Sequence, residues 1–137
     1  MELTLALKNN IEEINRLHTF IEEVGETFAL PMKVVLNLNL VLEEAVTNVI
    51  MYAYPQEQNE HIYLTAKKQD DRLVFVLTDS GIAFDPTQTP DADITLSADE
   101  RQIGGLGIFL IRKIMNEVKY ERIDDKNVLT LEKELSR

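Results

Sequence analysis

The stretch from Lys33 to about Tyr54 constrains the fold most, because it is a long helical pattern that is almost entirely apolar and ends at Pro55. Glu44 and Asn48 interrupt this pattern four residues apart. Side chains at that spacing project from the same face of a helix, one turn apart. Burying either group without a partner costs roughly 1–3 kcal/mol, so we expect the pair to serve a ligand, an ion or an ordered water.

Composition limits the classes of protein to which the chain can belong. Its 137 residues are 45% hydrophobic, which predicts one domain over residues 1–137. The absence of cysteine excludes disulfides, thiol nucleophiles and cysteine zinc sites, and only two histidines, His18 and His61, leave little scope for an imidazole cluster. Any metal should therefore be bound by oxygen. A net charge of −10 opposes binding to nucleic acid, although Mg²⁺ and backbone amides can still provide a site for ATP.

Nothing in the sequence predicts a membrane segment. The chain has no run of 18 apolar residues, and its first residues, MELTLALKNNIEE, lack the basic start and the long apolar stretch of a signal peptide. We therefore expect a cytoplasmic protein that does not bind membranes.

Hydrophobic periodicity predicts an α+β fold in two layers. Helical patterns run from Asn9 to about Phe28, from Lys33 to about Tyr54, and from the glycines at 104–107 to Asn116 or Glu117. The other segments are predicted strands or loops: a strand at Leu3, Leu5 and Leu7, a hairpin of HIYLTAKK with LVFVLTD, a long loop from Phe84 to Ile103, and a closing hairpin of VKYERI with NVLTLEKEL. LVFVLTD reads as a central strand covered on both faces. We expect the helices on one face of a mixed, mainly antiparallel sheet.

Three short motifs carry the functional prediction. EAVTN, from Glu44 to Asn48, lies on the second helix; Asp79-Ser80-Gly81 follows a buried strand; and Gly104-Gly105-Leu106-Gly107 opens the third helix. Each has an ordinary alternative: a surface glutamate with an asparagine bonded to backbone, an Asx turn, and a plain glycine turn. Three glycines before an apolar helix favour phosphate binding, because a helix N-terminus presents free N–H groups to anions.

In this order, with a polar loop between the last two motifs, the chain resembles the Bergerat-fold (GHKL) ATPase superfamily. Within it the chain is similar to the anti-sigma-factor serine/threonine kinases, including the segment GGLGIFLIRKIMNEVKYER from Gly104 to Arg122. The resemblance covers nearly the whole chain and implies a two-layer Bergerat sandwich that binds ATP and Mg²⁺. Ala83 departs from it, since the family has a glycine there.

The resemblance also implies a role for each motif. Asn48 would be the Mg²⁺ ligand together with phosphate oxygens, and Glu44 would be the general base that takes a proton from the attacking hydroxyl. Asp79 would accept a hydrogen bond from the exocyclic amine of adenine, which selects ATP over GTP, while Gly81 would let the backbone approach the base. The phosphates would bind at Gly104, Gly105, Leu106 and Gly107.

Three further residues are candidates for nucleotide binding. Arg101, just before the glycines, would neutralise the terminal phosphate once the loop closes over it. Asn127 stands where relatives often place a polar residue near adenine, and Thr130 lies deeper in the same strand.

The resemblance implies a kinase that transfers the γ-phosphoryl group of ATP to a serine or threonine of a small anti-anti-sigma (STAS-type) protein. It also implies a sigma factor as the alternating partner and a homodimeric kinase. Two alternatives stay open. One is an ATP-gated binding protein that transfers nothing, and the other is the detached ATP-binding half of a histidine kinase.

Overall fold

The computed structural model describes residues 2–53, 61–88 and 105–135. The helices are α1 (Ile14–Thr27), α2 (Met32–Asn48) and α3 (Gly105–Ile114). The strands are β1 (Glu2–Lys8), β2 (His61–Gln69), β3 (Arg72–Asp79), β4 (Glu117–Ile123) and β5 (Lys126–Glu134). Short 3₁₀ turns occupy Ile11–Glu13 and Pro86–Gln88, and a π-helical turn, Val49–Ala53, continues α2.

The first predicted helix is confirmed, with its initial turn in 3₁₀ geometry. Asn10 caps this turn, because its side chain accepts a hydrogen bond from the backbone N–H of Glu12 at 2.9 Å. The apolar stripe of α1 is buried as the periodicity predicts: Leu17, Phe20, Ile21 and Val24. This face of α1 therefore packs against the rest of the core.

Helix α2 is the apolar helix that the sequence predicts, but it changes geometry in its last turn. Pro31 precedes it with extended backbone, where its fixed φ and missing N–H cost nothing. The predicted α-helix continues instead as a π-helical turn at Val49–Ala53, and the Ala53 carbonyl bonds outside the helix, to Ile82 N at 2.8 Å. Single π turns within helices are frequent at functional sites.

The helical stretch Met32–Ala53 is 22 residues long and has a mean hydropathy of 1.5, which is enough to span a membrane by length and composition. A central core helix meets the same criteria. Here the stretch packs against both α1 and α3, and the residues it buries include Leu38, Leu42 and Val46.

The five strands form one sheet in the order β1-β2-β3-β5-β4, so β3 is central as predicted. All four pairings between the described strands are antiparallel, which corrects the expectation of a mixed sheet. The closing hairpin is set by its turn. Asp124 and Asp125 both have positive φ, as a two-residue type I′ turn requires, and Ile123 consequently pairs with Lys126.

One face of the sheet carries the core and the other does not. Strand alternation puts Leu73, Phe75 and Leu77 of β3 on the buried face, whereas Val74 and Val76 are only half-buried. The prediction that β3 is covered on both faces is therefore wrong, because the three helices lie on one face. The α+β fold, with helices on one face of the sheet, is confirmed.

Candidate functional site

Three polar residues are buried among the described residues, and all three line the same cleft. Asn48 is 5% exposed, Asp79 2% and Asn127 4%, and the cleft is narrow, with a cavity volume of about 10 Å³. It lies between the sheet and helices α2 and α3. Its apolar walls consist of Ala45, Val49, Leu77, Phe84, Pro86, Ile111 and Leu129. Apolar walls with a few convergent polar groups are typical of small-molecule sites.

Asp79 ends β3 at the base of this cleft. Its Oδ1 accepts two hydrogen bonds, from Gly81 N and from Asn127 Nδ2, each at 2.9 Å. The bond to Gly81 is the Asx turn that the sequence offered as an alternative to nucleotide binding. Both functions can coexist, because no other described residue donates a hydrogen bond to Oδ2.

Burial controls the charge of Asp79. Desolvation raises the pKa of its carboxyl group, and this effect exceeds the opposing bonds from Asn127 and Gly81 and the positive charge of Arg122. The carboxylate is thus held in position by neighbours at an electrostatic cost. Perturbed carboxyl groups in clefts are common at functional sites.

Asn127 is the centre of the network that fixes Asp79. Its Nδ2 donates to Asp79 Oδ1 and to the Ile82 carbonyl at 2.8 Å. Its Oδ1 accepts from Tyr120 Oη, from Phe84 N at 3.1 Å and from Arg122 Nη1 at 3.2 Å. Because both donors of the amide are already used, the geometry favours a role for Asn127 in positioning Asp79 over direct contact with a base.

Gly81 is required by close packing against the end of α2. A Cβ at this position would lie 2.3 Å from the Ala53 carbonyl oxygen and 2.8 Å from the Ala53 Cβ. The neighbouring Ala83 is not strained, because it is absent from the described non-glycine residues with positive φ. An alanine is therefore accommodated where the family has glycine.

An aromatic pair stands beside the cleft. Tyr52, on the π-helical turn, stacks on Phe84 with ring centroids 5.3 Å apart. Burial and the negative charge of Glu44 together raise the pKa of the Tyr52 hydroxyl. Tyr52 and Glu44 therefore lie near each other.

Asn48 and Glu44 share one face of α2 but differ in their relation to the cleft. Asn48 lines it, and no hydrogen bond joins its amide to another residue within the described ranges. Glu44 is half-buried and does not line the cleft. Desolvation, followed by the charge of Glu43, raises the pKa of the Glu44 carboxyl group. A raised pKa makes this carboxylate a stronger base, which is the direction that a general base requires.

Some of the remaining predicted site residues lie within the described ranges, and others do not. Gly105, Leu106 and Gly107 form the first turn of α3, so their backbone stands at the helix N-terminus as predicted. Arg101, Gly104 and most of the predicted loop from Phe84 to Ile103 lie outside the described residues. The first part of that loop is described, and Arg112 of α3 donates a hydrogen bond to its Thr87 carbonyl.

Thr130 is a correction, because the structure places it on the wrong face of the sheet. Asn127, Leu129 and Leu131 of β5 face the helices, so strand alternation turns Thr130 to the opposite face, where it pairs with Val76. Thr130 does not line the cleft. Thr130 lies three residues after Asn127, and residues an odd number apart on a strand face opposite sides of the sheet.

The sequence reasoning missed Tyr120 and Arg122. Arg122 donates to the Gly81 carbonyl at 2.9 Å as well as to Asn127, so it links β4 to the Asx turn. The turn at the closing hairpin is a sequence signal that could have identified both residues. A two-residue turn at 124–125 pairs Arg122 with Asn127 across the hairpin, and Tyr120 then follows on the same strand. The stacking of Phe84 on Tyr52 had no comparable sequence signal.

Three helices on one face of an antiparallel sheet, with a cleft between the sheet, α2 and α3, define a two-layer α+β sandwich. Comparison with known families makes the assignment specific. The chain belongs to the histidine kinase-like ATPase domain family, whose model matches residues 7–133.

Several named relatives are similar to this chain. The serine/threonine-protein kinase BtrW of Bordetella bronchiseptica is 34% identical over 94 residues, which are 69% of this chain and 66% of that protein. The serine-protein kinase RsbW of Listeria monocytogenes is 25% identical over 122 residues, or 86% of this chain and 78% of the relative. The anti-sigma F factor of Shouchella clausii is 25% identical over 87% of this chain and 80% of its own length.

Solved structures support the fold. The chain aligns over its whole length with a structure of the RsbU and RsbW domains of Rv1364c from Mycobacterium tuberculosis, at a TM-score of 0.72 and 14% identity, and it spans 33% of that chain. It also aligns over 91% of its length with the histidine kinase domain of a blue-light activated kinase from Erythrobacter litoralis, at a TM-score of 0.58 and 14% identity, spanning 60% of that chain.

Proposed function

We propose that this chain is an ATP-dependent serine/threonine protein kinase of the anti-sigma type. One observation carries the proposal: a buried Asp79, fixed by Gly81 and Asn127, stands at the base of a cleft whose helical wall presents Asn48. The names of relatives as serine or serine/threonine kinases and as an anti-sigma factor support it.

Adenine recognition would depend on the oxygen of Asp79 that the fold leaves without a described donor. An ionised Oδ2 can accept a hydrogen bond from the exocyclic amine of adenine, whereas the carbonyl of guanine would be repelled. The apolar walls at Val49, Leu77 and Leu129 suit a planar base. Because Asn127 and the Gly81 amide already hold Asp79 in place, binding of the base requires little further ordering of this carboxylate.

The residues present fit a magnesium ion. Asn48 is buried in the cleft with no described hydrogen-bond partner for its amide, and its side-chain carbonyl is a ligand type that Mg²⁺ accepts. No group of three or more His, Asp or Glu side chains that could hold a metal occurs among the described residues, so phosphate and water would complete the shell. When bound, Mg²⁺ would neutralise charge on the phosphate oxygens.

Glu44 would act as the general base for the attacking hydroxyl. It stands one turn before Asn48, and its raised pKa lets it accept a proton. The N-terminus of α3, with the backbone of Gly105, Leu106 and Gly107, would bind phosphate, and Arg101 and Gly104 would contribute from the segment before it.

The protein partners follow the same proposal. The phosphoacceptor would be a serine or threonine of a small anti-anti-sigma (STAS-type) protein, and a sigma factor would be the alternating partner. The kinase would work in the cytoplasm as a homodimer, without direct contact with nucleic acid or membrane. The net charge of −10 supports the exclusion of nucleic acid.

One observation favours a second candidate. Glu44 does not line the cleft, which is what a regulator that binds ATP without transferring its phosphate would allow. The two functions differ in whether Glu44 matters. A histidine kinase half is the third candidate, and an acid-labile phosphorylated product would identify it.

The deciding experiment compares wild-type protein with Glu44→Gln, using [γ-³²P]ATP and purified anti-anti-sigma proteins from the same genome. We expect transfer to fall by roughly 10²–10⁴-fold while ATP affinity is retained, because only proton transfer is lost. Glu43→Gln is the matched control, since Glu43 is an adjacent carboxylate that contacts His18 instead. If the wild-type protein binds Mg·ATP but labels none of these proteins, the kinase proposal is wrong.

A further inference from the structure

Helix α2 carries an exposed apolar row on the side away from the cleft. Met32 is 73% exposed, Leu36 57% and Leu40 50%. The three residues follow one another at intervals of four, so they form a single row about 12 Å long. The other large exposed apolar side chains of the described residues lie outside this row, on the π-helical turn after α2 and on other elements. Isolated exposed apolar residues are normal, but a row on one helix usually marks an interface.

A groove between α1 and α2 runs beside this row. It has a volume of about 500 Å³, and its lining includes Met32, Val35, Leu36 and Asn39 of α2. The helices approach closely at its floor, because a Cβ on Gly25 of α1 would lie 2.7 Å from a methyl group of Val35. We call this surface the α1–α2 groove. It is separate from the cleft that contains Asp79, with which it shares no lining residue.

The charge of the α1–α2 groove is acidic on its α1 side. Glu22 and Glu26, one turn apart, both line it, and no described lysine, arginine or histidine does so. Lys33 stands on α2 beyond the apolar row and outside the lining. The chain as a whole also has a net charge of −10, so the groove lies on an acidic protein. This field attracts a basic partner and repels a second copy, because an isologous contact would bring the same glutamates together.

The groove also contains an unsatisfied polar atom. Asn39 Oδ1 is buried and has no hydrogen-bond partner among the described residues, although other atoms of Asn39 line the groove. Leaving such an acceptor unpaired costs roughly 1–3 kcal/mol. Donation to this oxygen from a bound segment would require the Asn39 side chain to turn towards the groove.

We propose that the α1–α2 groove binds an amphipathic helix with basic flanks from another protein. The helices that form the groove satisfy their own backbone hydrogen bonds, so they cannot pair with an extended peptide as a strand edge does. A helical partner needs no such pairing. Its apolar residues at spacings of three and four would cover Met32, Leu36 and Leu40, while its lysines or arginines would face Glu22 and Glu26. The inference does not depend on phosphotransfer or on ATP.

The test uses a fluorescent synthetic helix of about five turns, with leucines along one face and lysines on both sides. One control peptide has the same composition scrambled so that no apolar face remains, and another has glutamate in place of lysine. Fluorescence anisotropy without nucleotide should show binding of the basic amphipathic peptide at least about tenfold tighter than binding of either control. NMR shift changes should fall on residues 22–40.

Substitutions locate the site. Leu36→Gln and Leu40→Gln should each weaken binding about tenfold, because a buried leucine contact is lost. Glu22→Gln with Glu26→Gln should weaken it about threefold and reduce its salt dependence. Ile123→Gln, a similarly exposed apolar residue in β4, is the matched control and should bind normally. Circular dichroism melting confirms that each variant is folded.

Three results would overturn the inference: equal binding of the amphipathic and scrambled peptides, unchanged binding by the leucine variants, or a wild-type dimer that Leu36→Gln dissociates. The last result would assign the groove to a second copy of the chain. Since the measurement needs neither ATP nor Glu44, its failure would leave the kinase proposal untouched, and failure of phosphotransfer would leave this inference untouched.

Discussion

At the scale of single residues, the proposed function gives the Asp79 carboxylate two roles, one structural and one in nucleotide recognition. One oxygen holds the turn to Gly81 and the bond from Asn127, and the other has no described donor. The ordinary Asx turn and the nucleotide contact were alternatives when only the sequence was considered. The structure makes them compatible, because they use different oxygens.

Asp79→Asn is expected to separate these two roles. The asparagine Oδ1 can keep both structural bonds, but its Nδ2 would present a donor to the adenine amine. Losing a bond to a charged acceptor, worth about 1.5–3 kcal/mol, should weaken ATP binding roughly 10- to 100-fold. Isothermal titration calorimetry measures the change.

The control for this substitution is Asp70→Asn. Asp70 lies in the β2–β3 turn at the other end of the sheet, where its φ of 55° suits asparagine equally well. ATP affinity should not change in this variant. Equal ATP affinity of Asp79→Asn and wild type would show that Asp79 does not contact the base.

The raised pKa of Asp79 predicts a particular dependence of stability on pH. The folded protein holds this proton more tightly than the unfolded chain, whose carboxyl has the ordinary value of 3.8. The free energy of unfolding of wild type, relative to Asp79→Asn, should therefore fall as pH rises from about 3.8 through the folded pKa and stay constant above it. Urea unfolding of both proteins across this range measures the difference, and a relative rise in wild-type stability would contradict the assignment.

At the scale of elements, the contact between the π-helical turn of α2 and the segment after β3 shapes the site. Ala53 O accepts from Ile82 N at 2.8 Å, and Gly81 is the residue that permits this approach. Beside this contact, the ring of Tyr52 in the π-helical turn stacks on the ring of Phe84 in the segment after β3. The helix end and the Asx turn are consequently one packed unit.

Gly81→Ala should disrupt that unit. The added methyl would lie 2.3 Å from the Ala53 carbonyl oxygen, which is backbone and cannot rotate away, so we expect a loss of about 1–3 kcal/mol of stability. Chemical denaturation measures it.

Gly25→Ala is the informative comparison for this packing. Its methyl would meet only a side-chain methyl of Val35 at 2.7 Å, which Val35→Ala can remove. The double variant should recover the stability that Gly25→Ala loses, whereas no side-chain change at Ala53 should rescue Gly81→Ala. If Gly81→Ala were as stable as the wild-type protein, the contact between residue 81 and Ala53 would not be rigid.

At the scale of the whole molecule, nucleotide binding should stabilise the fold that assembles the cleft. A ligand that binds only the native state at about 100 times its Kd adds about 2.7 kcal/mol to the free energy of unfolding. The cleft needs α2, α3 and the sheet together, so the unfolded chain has no comparable site.

We therefore expect Mg·ATP to raise the melting temperature by several degrees, roughly 3–5 °C for each kcal/mol in a chain of this length. Mg·GTP should have little effect, and ATP without metal should have a smaller effect than Mg·ATP. Differential scanning fluorimetry of the wild-type protein measures all three. Equal stabilisation by ATP and GTP would remove the proposed role of Asp79.

Local pattern was sufficient for the elements and for much of the site. The spacing of apolar residues predicted α1, α2 and the hairpins, since the periods of helices and strands differ and each helix or hairpin is fixed by neighbours in sequence. The fold class followed from the order of those elements. The motif at Glu44 to Asn48 and the turn at Asp79 were also visible, because a helix face and a strand end are local properties.

Other features depended on distant partners. The π-helical turn forms against Ile82, and the network of Tyr120, Arg122 and Asn127 requires β4, β5 and β3 side by side. Thr130 was misplaced because the face of a strand that meets the helices is fixed only when the sheet packs.

The sequence by itself determined where the helices and strands lie and which chemical groups they carry, because periodicity and turn residues act over a few positions. Only the tertiary structure decided that Asn48, Asp79 and Asn127 share one cleft and that Met32, Leu36 and Leu40 remain uncovered on the other side of α2. The physical reason is that burial is a property of the assembled layers. A residue loses or keeps its water according to what packs across from it.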